Sequence, residues 1–440
     1  MKASKKVLIL TYYWPPSGGS GVQRWMYFCR YLAEFGFEPI VVTVKEESAS
    51  YKHVDPAFLE RVKHVETHRT STLEPLKMYS LLVSGSANKG IPQGHVGTDK
   101  KGFFHKLSTF VRGNFFVPDA RMGWNRYALP EARKLIREHN IDLLITTGPP
   151  HSTHLMGLKL KKEFPIKWLA DLRDPWTDLY YVKDLMRMDW ANEKDARLER
   201  DVLLGADQVL TVGVKLKELL GQKIPGKEDK IHYIYNGFDS FLMDELKAEE
   251  HDHFQLSYTG LMSSNQPYTF MIEALKKAFS EVEKGKVKMV FAGNIEEAIL
   301  EAFTRELPFM EMDFRGYVSH AEALVQMKSS QLLLNVLPEM KDSEILISGK
   351  LMEYMASGNP VLCIGNPVGE AAIMLREVDN ARLYAKDKVE EMASFIRQVY
   401  DRWSAGNPMI NNTDTDYIKS KSRYETSRQL ADFLRDMGAQ

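Results

Sequence analysis

Ser348, Gly349, Lys350 and Glu353 are residue types that hold phosphate and ribose, and their spacing sets them at the start of a helix. Leu351, Tyr354 and Met355 fall at i, i+3 and i+4, Gly358 is a stop, and Pro360 opens the apolar run 361–364. Free N–H groups at such a helix start attract phosphate, and Lys350 would add a point charge there. Three further clusters close apolar runs. The turn Pro15-Pro16-Ser17-Gly18-Gly19-Ser20-Gly21 follows the run 7–10, so Gly18, Gly19 and Ser20 can bring backbone close to a ligand. His151 ends Thr146-Thr147-Gly148-Pro149-Pro150-His151 and would face the same crevice. Asp171-Leu172-Arg173-Asp174 places two carboxylates and a guanidinium at the end of another strand, as substrate contacts or as a structural ion pair. Gly260, Gly293 and the Gly316-Tyr317-Val318 stretch also follow strands, so a nucleotide could lie across these turns, its base near Tyr317 and Val318, its ribose on Glu353 and its phosphates near Lys350.

Regular alternation of strands and helices must position these groups. Strands are expected over 7–10, 39–44, 141–146, 167–171, 208–212 and 231–234, with helices over 22–35, 126–139, 153–163 and 193–204 between them. The polar stretch 244–253 marks a domain boundary. A second series follows, with strands over 254–259, 287–292, 312–315, 331–335 and 360–364 and helices over 268–280, 296–307, 320–328, 351–356 and 389–403. The fold class is therefore α/β, two Rossmann-like doubly wound domains. The first spans 1–238, joined by a final helix 417–437 that packs back on it, and the second spans 239–416.

Composition excludes several classes. Charges nearly cancel, 58 basic against 59 acidic, which argues against nucleic acid as a general partner. Position 24, where the pattern G-x-G-x-x-G needs a small residue, is Arg24, which disfavours NAD or FAD. Asp414-Thr415-Asp416 and His251-Asp252-His253 have chelating spacings but lie in polar connecting segments, so no metal site is assigned. Cys29 and Cys363 read as core residues of a reducing compartment. The run 7–10 is too short for a signal peptide, and none approaches the roughly 20 apolar residues that span a bilayer, so the expectation is a cytoplasmic protein. Residues 84–101 predict a mobile loop. The aromatic and basic stretch 100–117 suits either a helix on an anionic membrane surface or a helical hairpin packed on the domain.

The stretches Pro-Pro-Ser-Gly-Gly-Ser-Gly-Val-Gln-Arg, Gly-Pro-Pro-His-Ser, Asp-Leu-Arg-Asp-Pro-Trp and Gly-Lys-Leu-Met-Glu-Tyr-Met-Ala-Ser-Gly-Asn-Pro together resemble the GT-B glycosyltransferases of the family-four retaining group, particularly bacterial enzymes of cell-envelope polysaccharide synthesis. The resemblance covers nearly the whole chain. It implies two domains facing across a cleft and hexosyl transfer from a UDP- or GDP-sugar to a glycan or lipid-linked acceptor, with no cofactor or required metal. Gly19 would lie near the donor phosphates, His151 near the transferred sugar, Lys350 by the diphosphate and Glu353 on the ribose. His151, Lys350 and Asp174 are the catalytic candidates, and Asp171 and Arg173 lie on the acceptor side. Two departures stand out. The family's glutamate pair needs an acid at Ile345, where the nearest is Glu344, and the loop 261–266 lacks the usual basic residue. A nucleotide-sugar 2-epimerase and a nucleotide-sugar binding protein with little catalysis are the alternatives.

Overall fold

Strands covered by helices on both faces have no solvent side to alternate toward, so the interior strands are near-continuous apolar runs. The computed structural model describes residues 4–49, 51, 54–74, 103–179, 182, 185–340 and 342–439. The loop expected at 84–101 lies outside them. Contacts divide the chain into unit 1, Met1–Tyr235 with Thr426–Gln440, and unit 2, Asn236–Glu425.

Unit 1 contains β1 (Lys5–Leu10), α1 (Ser20–Leu32), β2 (Phe37–Val44), α2 (Pro56–Arg61), β3 (Glu66–Thr70), α3 (Phe103–Phe115), α4 (Asn125–His139), β4 (Leu143–Gly148), α5 (Ser152–Glu163), β5 (Lys167–Leu172), α6 (Asp189–Gly205), β6 (Gln208–Thr211), α7 (Val214–Gly221) and β7 (Ile231–Tyr233). Its seven strands are parallel in the order β3-β2-β1-β4-β5-β6-β7, so strand order reverses between β1 and β4. Ligands of open α/β sheets bind at the carboxyl ends of strands beside such a reversal. The loop bearing Gly18 and the loop that follows Gly148 leave the two strands that flank it.

Unit 2 contains α8 (Ser240–Glu245), β8 (Phe254–Thr259), α9 (Tyr268–Phe279), β9 (Val287–Ala292), α10 (Glu297–Glu306), β10 (Glu311–Gly316), α11 (His320–Lys328), β11 (Leu332–Val336), α12 (Gly349–Ala356), β12 (Val361–Ile364), α13 (Glu370–Leu375), β13 (Ala381–Tyr384), α14 (Val389–Ser404) and α15 (Asp416–Lys419). The parallel order β10-β9-β8-β11-β12-β13 reverses between β8 and β11, and α12 follows β11. Phe254, Leu256, Phe279, Phe291 and Phe303 form the centre of a core that α9, α10 and α14 cover.

Three sequence expectations are corrected. The polar segment 244–253 does not separate the units, because Lys328 Nζ donates to the carbonyls of Met243 (2.7 Å) and Leu246 (2.6 Å) and the Glu249 N–H donates to Ser329 Oγ (2.8 Å). The expected final helix 417–437 is two helices, α15 and α16 (Arg423–Ala439), with Thr415 capping α15 through Ile418 N–H (3.2 Å). The edge strands β3 and β13 were not anticipated. Their sequences, Glu-Thr-His-Arg-Thr and Ala-Arg-Leu-Tyr, are half-exposed and carry no apolar run.

Candidate active site

In unit 1 the loops after β1, β4 and β5 are tied together by two arginines. Arg173 Nε donates to Gly148 O (3.0 Å), its Nη2 to Pro149 O (3.1 Å) and its Nη1 to Gly21 O, so one guanidinium joins all three loops. This corrects the expected pairing of Arg173 with Asp174 and makes Arg173 a positioning group. Arg24 turns inward from α1. Its Nε and Nη2 donate to Asp171 Oδ1 (3.1 and 3.0 Å), and Nη1 donates to Ile234 O (2.7 Å). Trp25 Nε1 (2.6 Å) and Thr147 Oγ1 (2.8 Å) donate to Asp171 Oδ2. With both carboxylate oxygens enclosed, Asp171 cannot meet an acceptor, and the expectation for that residue is corrected to a structural one.

Asp174 is different. Among the described residues no hydrogen bond or ion pair holds its half-buried carboxylate. Burial raises its pKa, Arg173 opposes the rise and Asp171 adds to it, so the group is suited to carrying a proton. His151 precedes α5, is 5% exposed and lies flat on Trp176, with ring centroids 4.8 Å apart and 12° between planes. Neither ring nitrogen has a partner among the described residues. Gly18 and Gly19 precede α1, whose first residue is Ser20; Gly19 takes φ +93°, a backbone conformation natural to glycine.

Two residues of this region escaped the sequence reading. Asp119, in an unpatterned loop, caps α5 from 33 positions away, accepting from Ser152 N–H (2.7 Å) and Oγ–H (2.9 Å). His154 sits behind His151, its Nδ1 2.8 Å from Thr146 Oγ1. Only a later fold contact gives either residue its role, and no local signal marks it.

Burial makes this pair acid-sensitive. It lowers the pKa of His151 well below the usual imidazole range, aided by the charges of His154, Arg173 and Lys223. It also lowers His154 to about 3, against the pull of Asp171. Below the unfolded value near 6.5, the unfolded chain gains protons that the folded one refuses, so stability present above that pH is lost as pH falls. Between pH 6.5 and 5.5 the expected loss is about 1 kcal/mol per ring. Urea unfolding across that range should show it, and the double variant His151→Gln/His154→Gln should flatten the slope. An equally steep slope in the double variant would assign the acid sensitivity to other groups.

In unit 2, Lys350 extends from the first turn of α12 back to β8. Its Nζ donates to Thr259 O (2.6 Å) and stands 3.3 Å from the centre of the Tyr258 ring. Lys350 also lies beside Gly260, whose φ is +94°. Although the side chain is partly exposed, burial of the ammonium lowers its pKa well below the usual lysine range. Tyr354, one turn later, accepts from Thr259 N–H (3.0 Å) and donates to Leu334 O (3.2 Å), fixing α12 across the sheet reversal. Gly293, at φ +143°, passes so close to Gly260 that a Cβ would lie 2.1 Å from Gly260 O. Gly316 O accepts from Gly293 N–H (2.6 Å), so the three glycine turns are contiguous.

Ser348 and Gly349 open α12, and no side chain caps its first N–H groups. Glu353 meets His320 Nε2 at 2.7 Å, a partner 33 positions away that the sequence did not suggest. Tyr317 is 82% exposed and Val318 half-buried beyond β10. Of the two departures, Glu344 lies against Gly369, whose Cβ would fall 3.2 Å from the Glu344 backbone, so the shifted acid still borders the Gly369-Glu370 turn. The loop 261–266 is held by Gln266 Nε2 donating to Tyr258 Oη (3.0 Å), Ser263 N–H donating to Gln266 Oε1 (2.8 Å) and Ser264 N–H donating to the Glu296 carboxylate (3.0 Å). Among the described residues no group of three His, Cys, Asp or Glu is gathered for a metal. Asp414 instead pairs with Lys419 at 2.6 Å, and His253 with Asp252 at 3.2 Å.

Comparison with known proteins agrees with the fold of the two units. Residues 95–240 match the family model Glycosyltransferase Family 4, and residues 253–402 match Glycosyl transferases group 1. No curated protein matches the chain by sequence. Solved structures that it resembles include a glycosyltransferase from Rickettsia africae (13% identity, 99% of this chain and 98% of that one, TM-score 0.60) and Anabaena HepE in complex with UDP and glucose (13%, 98% and 100%, 0.59). A sucrose-phosphate synthase from Thermosynechococcus elongatus is similar to the same extent (14%, 99% of each chain, 0.60). At these identities the likeness concerns the fold, two Rossmann-like units of the GT-B class. With the two family models together matching more than half of its length, the chain belongs to the GT-B glycosyltransferases, in the family-four-like group.

Proposed function

We propose that this glycosyltransferase moves a hexosyl group, with retention, from a UDP- or GDP-sugar to a glycan or lipid-linked acceptor in cell-envelope polysaccharide synthesis. The observation that carries the donor assignment is Lys350 at the strand-order reversal of unit 2, beside the contiguous turns of Gly260, Gly293 and Gly316. Cleaving a sugar–phosphate bond leaves charge on the diphosphate. Lys350 and the first N–H groups of α12 meet that charge, and Glu353 takes the ribose. No metal step is invoked. In unit 1, Gly18, Gly19 and Ser20 serve the donor phosphates, and His151 and Asp174 serve the reacting sugar and the acceptor hydroxyl. Anabaena HepE, bound to UDP and glucose, supports a nucleotide-sugar donor by its shared fold.

Thermal unfolding with a panel of nucleotide sugars tests the donor site, because a ligand that binds only the folded chain stabilises it by about 2.7 kcal/mol at one hundred times its Kd. One UDP- or GDP-sugar should raise the melting temperature, and a flat response to all of them removes the donor assignment. Product analysis with that sugar then decides the chemistry. A new glycoside supports transfer, an isomerised donor indicates a 2-epimerase, and binding without either indicates a nucleotide-sugar binding protein.

The acceptor side adds a membrane reading. Of the stretch 100–117, residues 100–102 and the side chains of 103–108 lie outside the described residues. At its described end Phe115 is 65% exposed and packs edge-on against exposed Trp190 (6.3 Å), with Met186 and Met188 also exposed. Among the described residues no helix is long and apolar enough to cross a membrane, so this patch would lie on one, at the face where a cytoplasmic enzyme meets its lipid-linked acceptor. Flotation with anionic liposomes should carry the chain upward, and Phe115→Ala/Trp190→Ala should leave it at the bottom. A wild-type chain that does not float removes the membrane contact.

A further inference from the structure

Beside His151, unit 1 encloses a cavity of about 70 Å³ whose lining includes Trp176, Asp119, Asp195 and the three arginines Arg112, Arg121 and Arg187. Its two carboxylates are already engaged. Asp119 accepts from Ser152 and from Arg121 N–H (2.9 Å), and Asp195 accepts from Trp176 Nε1 (2.7 Å) and from Arg187. Arg187 is neutralised by Asp195 and also donates to Pro118 O (3.3 Å). No described carboxylate pairs directly with Arg121, although the charges of Glu74 and Asp119 act on it at longer range. The Arg121 guanidinium lies 5.6 Å from the ring centres of both Tyr12 and Tyr13. Its Nε is buried without a partner, as are both ring nitrogens of His151, a residue more than nine-tenths buried.

Unsatisfied buried polar groups are costly, so their concentration around one cavity indicates a ligand that satisfies them. A planar guanidinium held by two aromatic faces offers a fork that matches an oxyanion. The volume equals that of roughly five water-sized sites, enough for a phosphate or carboxylate group but not for a whole sugar chain. We propose that this cavity binds an anionic group of the acceptor, a phosphate or a carboxylate, with Arg121 as its counter-charge and His151 as a hydrogen-bonding neighbour. The inference rests on the acceptor-side reading of unit 1 above and narrows the acceptor to an acidic one.

Titration calorimetry of the full chain with inorganic phosphate and with acetate, at low ionic strength, tests it. One of the two anions should bind the wild-type chain. Arg121→Gln should weaken it at least tenfold while the nucleotide-sugar melting shift persists. Phosphate binding assigns a phosphate-bearing acceptor, and acetate binding a carboxylate-bearing one. If Arg121→Gln does not fold, Arg121→Lys keeps the charge without the fork and should bind several-fold more weakly. Absence of binding, or binding indifferent to both Arg121 variants, overturns the proposal. A missing nucleotide-sugar shift beside an intact phosphate response would strike at the transferase reading alone.

Discussion

Lys350→Ala should reduce sugar transfer on the order of 100-fold or more, the loss typical of one preorganised donor at a developing oxyanion. The geometry gives the reason. Thr259 O and the Tyr258 ring hold the ammonium in one place, at 2.6 and 3.3 Å, so little reorganisation remains when charge appears on the leaving diphosphate. The fold should survive, because Leu351, Tyr354 and Met355 anchor α12 in the core independently of the lysine head group. Steady-state kinetics with the sugar identified by melting shifts, together with an unchanged melting temperature for the apo variant, checks both halves. Near-normal turnover would remove Lys350 from the chemistry. A second consequence follows from its lowered pKa. An anionic diphosphate favours the protonated amine, so donor binding should take up protons and weaken as pH rises through the pKa of the free enzyme. Calorimetry in buffers of different ionisation enthalpy reads that uptake directly.

Asp171→Ala should destabilise unit 1 by roughly 3–5 kcal/mol, because it leaves a buried guanidinium without its counter-charge. Arg24 and Asp171 side chains are 1% and 0% exposed, and Trp25 and Thr147 lose an acceptor at the same time. The urea midpoint of unit 1 should fall sharply. The double change Arg24→Met/Asp171→Leu should recover much of the loss, since buried ion pairs are often replaceable by packed apolar groups. A single Asp171→Ala variant as stable as the wild type would mean that Arg24 finds another partner and that the carboxylate is available for a different role.

Lys350 and Asp171 illustrate how unevenly function could be read from the chain. The sequence by itself determined the two α/β series, because buried parallel strands need unbroken apolar runs and helices need apolar residues three and four apart. It also placed Gly18, Gly260 and Gly293 in turns that follow strands, since glycine marks where backbone must bend or approach a ligand. Which polar residue meets which was decided only by tertiary structure. Arg24 appeared in sequence merely as a residue too large for a dinucleotide turn, yet the fold directs it to Asp171, 147 positions away. Arg173, expected beside Asp174, instead spans to Gly21, and Glu353 finds His320. Asp119 became the cap of α5 without any pattern of its own. Local periodicity records what a segment buries, whereas a hydrogen bond between distant segments depends on strand order and register. No window of sequence carries that information.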